Sequence, residues 1–160
     1  MPRRRLHPLW LLAAAPLLFA AGAAVGPARF PGFSIEPLPA APPGVPQLVL
    51  TMSLPPGDTG FAANVNVMRQ PWADTLDAYD DLTDAQLNQM GWEVTEREAL
   101  EGELRYRYEG AFQGRLLRWF ARAVHGDGVM FLVTATATPE QWERSGAQLD
   151  RCVESFEPEG

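Results

Sequence analysis

The chain has one cysteine, no lysine and two histidines among 160 residues. With Cys152 alone there is no internal disulfide, so a folded domain must rest on its apolar core rather than on the staples of small exported proteins. Only His125 lies beyond the N-terminal segment, and no serine sits in a Gly-x-Ser-x-Gly elbow, so a hydrolase has little to converge on. No glycine-containing loop matches an EF-hand, and no internal repeat is visible. All basic residues are arginine. Setting aside Arg3, Arg4 and Arg5, the remaining 10 face 20 acids, a charge near −10. Tracking phosphates needs clustered positive charge, which argues against nucleic acid and anionic membrane surfaces as partners.

The apolar runs are informative too. Arg3 to Arg5 precede an apolar stretch from Leu9 to Val25, 17 residues interrupted by Pro16. A spanning helix needs about 20 residues. The layout is that of a secretory signal with Ala21-x-Ala23 as cleavage site, or of an uncleaved anchor. Residues 1–24 are therefore expected to be a signal peptide or membrane anchor. Residues 25–44 form a Pro/Gly/Ala-rich linker, and residues 45–158 one domain. Either reading makes the protein exported: periplasmic or secreted, with residues 9–25 as the inner-membrane anchor if they stay uncleaved.

Within the domain, Val45 to Leu54 reads as a strand with Leu48, Leu50, Met52 and Leu54 on one face. Phe61 to Gln70 is a second strand, with Val65 and Val67 alternating against Asn64 and Asn66. Asp74 or Thr75 caps a helix that reaches Met90 and stops at Gly91, with an apolar stripe of Leu76, Tyr79, Leu82, Leu87 and Met90. Trp92 to Glu98 is a short strand. Glu103 to Glu109 alternates, placing Leu104, Tyr106 and Tyr108 inside and Glu103, Arg105, Arg107 and Glu109 in water. Leu116 to Val124 and Val129 to Ala137 are apolar on both sides, as central strands are, and Gly126-Asp127-Gly128 joins them. Thr138, Pro139 and Gln141 open the last helix with a capping box. Its stripe of Trp142, Leu149, Val153 and Phe156 is expected to bury against the sheet. The order β-β-α-β-β-β-β-α with short turns gives an α+β fold: an antiparallel sheet of about six strands with helices packed on it, an α/β/α sandwich.

Chemistry-bearing residues are few. Cys152 borders the apolar stripe and reads as core. Asp77, Asp80, Asp81 and Asp84 share the outer face of the first helix. Four carboxylates suit a hard cation, but a rigid helix rarely wraps them around one ion, so a solvated acidic face is expected. Arg118 and Arg122 lie on an apolar strand face, where they either pair with acids and stack on the helix or line a binding surface. Asn64 and Asn66 share another strand face. These two pairs are the candidate partner surface. No catalytic residue, metal ligand or cofactor-binding residue stands out.

The strand Phe61-Ala-Ala-Asn64-Val-Asn66-Val67, the helix from Leu76 to Met90 and the strand Arg105-Tyr-Arg-Tyr-Glu109 form a pattern. So does the close from Ala121 through Thr134-Ala-Thr-Ala-Thr-Pro139-Glu-Gln-Trp142 to Ser155-Phe156. This pattern resembles the PsbP-like superfamily, whose members include DcrB-type bacterial envelope lipoproteins. The resemblance implies a non-enzymatic binding or assembly role with a protein of the cell envelope as partner, and does not name that partner. The lipobox cysteine of the DcrB-type lipoproteins is absent. The runner-up is a small-molecule binding module using a cleft between sheet and helix, and a hydrolase comes third. Oligomeric state stays open. N-terminal sequencing of the envelope fraction should find the chain starting near Ala24; an intact Met1 in the cytosol would overturn export.

Overall fold

The computed structural model describes residues 28–36, 42, 44–58 and 60–158. The N-terminal segment read as signal or anchor lies outside the described residues. Among those described, no helix is long and apolar enough to cross a membrane.

The fold is α+β, with one six-stranded antiparallel sheet and two helices. Its elements are β3 (Gln47–Ser53), β4 (Asn64–Pro71), α1 (Leu76–Met90), β5 (Glu93–Leu100), β6 (Glu103–Phe112), β7 (Arg115–Gly126), β8 (Val129–Ala137) and α2 (Pro139–Glu154). The spatial order is β3-β4-β8-β7-β6-β5. The strands apolar on both sides, β7 and β8, hold the centre. Within the stretch read as a linker lies a hairpin of β1 (Ala28–Phe30) and β2 (Phe33–Ile35). Pro31-Gly32 turns it, with Gly32 at φ 89°, the positive angle that a Pro-Gly turn requires of its glycine.

Each helix covers one face. On the α1 face, Tyr79 and Leu87 pack on Leu104, Tyr106, Leu117, Ala121 and Met130. On the α2 face, Leu149 and Val153 pack on Val65, Val67, Phe120, Val133 and Ala135. The helix ends follow the sequence. Thr75 Oγ1 accepts from the Ala78 amide and Gly91 closes α1 at φ 68°. Thr138 and Gln141 exchange the two bonds of a capping box at the start of α2.

Several expectations need correction. A bulge at Val49 shifts the β3 register, so Leu48 pairs with Met68 while Leu50 pairs with Val67. Partners directly opposite share a face. Leu48 therefore points to the α1 face, and Leu50 and Met52 to the α2 face. Met90 is exposed, and Thr83 takes a place in the helix interior, its hydroxyl donating to the Tyr79 carbonyl. Trp142 is only half-buried, because it lies along its own helix against Gly146. The charged side of β6 does not face water: Arg107 meets Asp150 of α2 at 3.1 Å and lies over the Phe120 ring.

The interior is rich in stacked rings. Trp92 and Trp119 stack with centroids 4.3 Å apart, and Tyr108 stacks on Trp119 at 5.1 Å. Gly110 makes this stack possible, since a Cβ there would stand 2.2 Å from Trp92 Cδ1. Gly110→Ala must displace the indole, and overpacking of this kind costs about 1–3 kcal/mol. Urea unfolding should show that loss together with a changed near-UV circular dichroism spectrum, whereas an unchanged midpoint would mean the stack can slide freely.

Candidate functional site

The two candidate pairs lie on opposite faces. Asn64 and Asn66 are on the α1 face opposite Thr136 and Thr134. Arg118 and Arg122 are on the α2 face with Phe120. They therefore do not form one surface.

Arg122 is buried, 8% exposed, and fully engaged. Nε and Nη2 donate to the two carboxylate oxygens of Glu103 at 2.8 and 2.6 Å. Nη1 donates to the carbonyls of Val153, Glu154 and Phe156 at 2.9, 2.7 and 3.3 Å. Those carbonyls close the C-terminus of α2, where a cation is favourable. Arg122 is thus a helix cap and not part of a docking surface. Arg118 is more open and pairs with Glu109 at 3.0 Å.

The other sequence candidates have structural roles as well. His125 Nε2 meets the Trp72 carbonyl at 3.3 Å, and its amide donates to Gly102. Both contacts tie turns at the end of β7. Ser145 of α2 and Ser155, its C-cap, lie on the other side of the sheet from this ring, which shares the Met130 face. Cys152 is half-buried at the margin of the α2 core. The acidic face of α1 is not simply solvated: Asp80 accepts from Tyr106 Oη at 2.7 Å and pairs with Arg97 of β5, which also approaches Asp84. No cluster of metal-ligating side chains occurs among the described residues. Burial pushes the phenols of Tyr79, Tyr106 and Tyr108 up, so they remain neutral.

Asn64 and Asn66 instead border a pocket of about 150 Å³. Its walls are Phe61, Phe112, Leu117 and Trp119. Its polar lining is the two asparagines, Thr136, Gln113 and Arg115. The guanidinium carbon of Arg115 lies 5.2 Å from the Phe61 ring centre. A hydrogen-bonded run orders the amides: Thr51 donates to Asn66, Asn66 to Asn64, and Asn64 to the Ala62 carbonyl, at 2.8 to 3.0 Å. Phe61 is fixed from the other side of the sheet, where Gln141 Nε2 donates to its carbonyl at 2.8 Å. Sequence reading found the asparagines but missed Phe61, Gln113 and Arg115, which come from the loop before β4 and from the β6–β7 turn and the strand end beside it. Gln113-Gly114 and Asp127-Gly128 have positive φ at both positions and are equivalent hairpin turns.

A second accessible feature is the β3 edge. Val49, Leu50 and Met52 are each 43–46% exposed, and the strand carries no charge. The opposite edge, β5, exposes Glu93, Glu96, Arg97 and Glu98.

Glu103 bears on how this scaffold depends on pH. Its bond from Arg122, helped by Arg105, holds its carboxyl below the usual glutamate range despite desolvation. Stability from a depressed carboxylate is complete above its unfolded value, about 4.3, and is lost as pH falls through the folded one. Glu103→Gln should lose about 3 kcal/mol at neutral pH, the cost of breaking a buried pair. Its urea midpoint should also fall less steeply on acidification than that of the wild type; parallel profiles would mean that Glu103 is not the linked group.

No family model and no curated protein matches the sequence. Among solved structures, the chain is similar to PA94 from Pseudomonas aeruginosa, described as a protein of unknown function and a candidate regulator. The identity is 16% and the TM-score 0.54, with 84% of this chain and 97% of that one covered; the likeness is one of fold.

Proposed function

We propose that the protein is an exported, non-enzymatic binding or assembly protein of the cell envelope, PsbP-like in kind, that engages a protein partner along β3. One observation carries the reading: among the described residues the sheet has two edges, and only one of them is charged. Edge strands present unpaired amides and carbonyls, and proteins blunt them with charge or bulges. Both edges carry a bulge, at Val49 in β3 and Thr95 in β5. Only β5 adds charges. In a chain with a net charge of −7, the uncharged strand is where a partner can approach without like-charge repulsion, adding a strand and covering Leu50 and Met52. Export rests on the sequence of residues 1–24, and the family kinship on the motifs from Phe61 to Phe156. The two clusters of perturbed titratable groups, Glu103 with Arg105 and Arg122 and Asp80 with Arg97 and Tyr106, are engaged in ion pairs, a helix cap and a hydrogen bond, which supports a scaffold role for them over a catalytic one.

The test uses the full chain in its own cells, with a photo-crosslinking amino acid at Val49 or at Glu98. A discrete envelope protein should be captured from Val49 and not from Glu98. Equal capture from both positions, or none from Val49, would sink the edge reading; a product of twice the chain's mass would replace the envelope partner with a second copy.

A further inference from the structure

The pocket on the α1 face has a chemistry of its own, independent of the β3 edge. We propose that it binds a small, single-ring aromatic monocarboxylate. Size comes first. A volume of about 150 Å³ is what a cavity needs to hold one benzene-sized ring. The walls suit a ring. Trp119 is locked by stacking on Trp92, and Phe112 stands edge-on to that same indole at 84°, so the apolar surface is formed before any ligand arrives.

Charge decides the polar end. No Asp or Glu among the described residues lines this pocket, whereas Arg115 does. A guanidinium has five N–H donors and matches a carboxylate with paired bonds. It can keep its contacts within the protein and still receive the ligand. The asparagines add donors. The Ala62 carbonyl can only accept, so Asn64 must turn its amide nitrogen to it and its oxygen to Asn66. Asn66 in turn gives its nitrogen to Asn64 and its oxygen to Thr51. Each oxygen thus already accepts one of the two bonds it can take, and each nitrogen keeps one of its two hydrogens. The asparagines can serve as donors, and Arg115 supplies the positive charge that selects an anion. An amine would find no carboxylate, and a neutral ring would leave the donors unmet.

Gln113 adds an independent mark. It holds φ 51°, a region that glycine, asparagine and aspartate adopt more readily than glutamine. The equivalent turn uses Asp127 at this place. Strain of this kind gathers at functional sites, and Gln113 lines the pocket.

The purified chain should be titrated with benzoate, benzyl alcohol and benzylamine at about pH 7, where the acid is ionised, by ligand-observed NMR and tryptophan fluorescence. Benzoate should bind at least about tenfold more tightly than the alcohol, as a charged hydrogen-bond pair requires, and benzylamine most weakly. Arg115→Gln, with its far-UV spectrum unchanged, should erase the preference for benzoate. Gln113→Asn should raise the unfolding midpoint and weaken benzoate; it decides the matter if the arginine variant fails to fold. No binding by about 10 mM, weaker than a fragment in a real pocket, would overturn the proposal. So would a preference for the amine, or a preference for benzoate that survives both substitutions.

Discussion

The rest of the structure hangs on Arg122. It stands on a central strand, buried, with Glu103 of β6 on one side and the last carbonyls of α2 on the other. Each of these three parts would be costly alone. A buried guanidinium needs an anion. A desolvated carboxylate needs a cation. A helix end packed against a sheet needs donors for its carbonyls. Together they satisfy one another, and the geometry that does so is narrow. Arg105 sits directly opposite Arg122 on the same face, a like-charge pair that would repel. Glu103 resolves it by bonding both guanidiniums.

Pinning the end of α2 has effects across the sheet. At its other end, Gln141 both completes the cap of the helix and holds the Phe61 carbonyl. Phe61 forms a wall of the pocket on the opposite face. The position of that wall therefore depends on where α2 lies, and α2 is set by Arg122. The scaffold on one side of the sheet thus positions the proposed binding pocket on the other.

Local signals made much of this legible. The order of the six strands and two helices, the Thr75 and Thr138 caps and the Gly91 stop are written in adjacent residues. So is the alternation of Leu104, Tyr106 and Tyr108. What stayed hidden depends on partners far apart in sequence. The bulge at Val49 reverses Leu48 relative to Leu50, yet the run Gln47–Ser53 alternates smoothly and gives no hint of it. Arg122 reads as one arginine on an apolar strand, and only the end of a helix 31 residues later explains it. The charged side of β6 is polar by composition and turns out to bridge to Asp150. Of the candidate site, Asn64 and Asn66 were visible as a polar pair on a strand. Arg115 and Gln113 were not, because a hairpin turn reveals nothing of the loop it will face.

Width explains where open surface remains. Six strands at about 4.8 Å spacing make a sheet roughly 24 Å across, whereas a helix with its side chains covers about 10–12 Å. One helix per face must leave a strip bare on each. On the α2 face the strip over β5 and β6 is a depression of about 430 Å³ lined by Glu96, Glu98, Arg105 and Arg107, which pair with one another and with the helix. On the α1 face the helix rests over β5 and β6, and β4 and β8 lie beyond it. There Met130 and Leu132 join the core, while at the far end Asn64 and Asn66 are half-buried and keep amide hydrogens next to the rings of Phe61 and Phe112. A depression lined by ion pairs has its charges already matched, whereas amides beside an aromatic wall keep donors. This asymmetry is the physical reason for proposing the Asn64–Asn66 end of the sheet as the binding site.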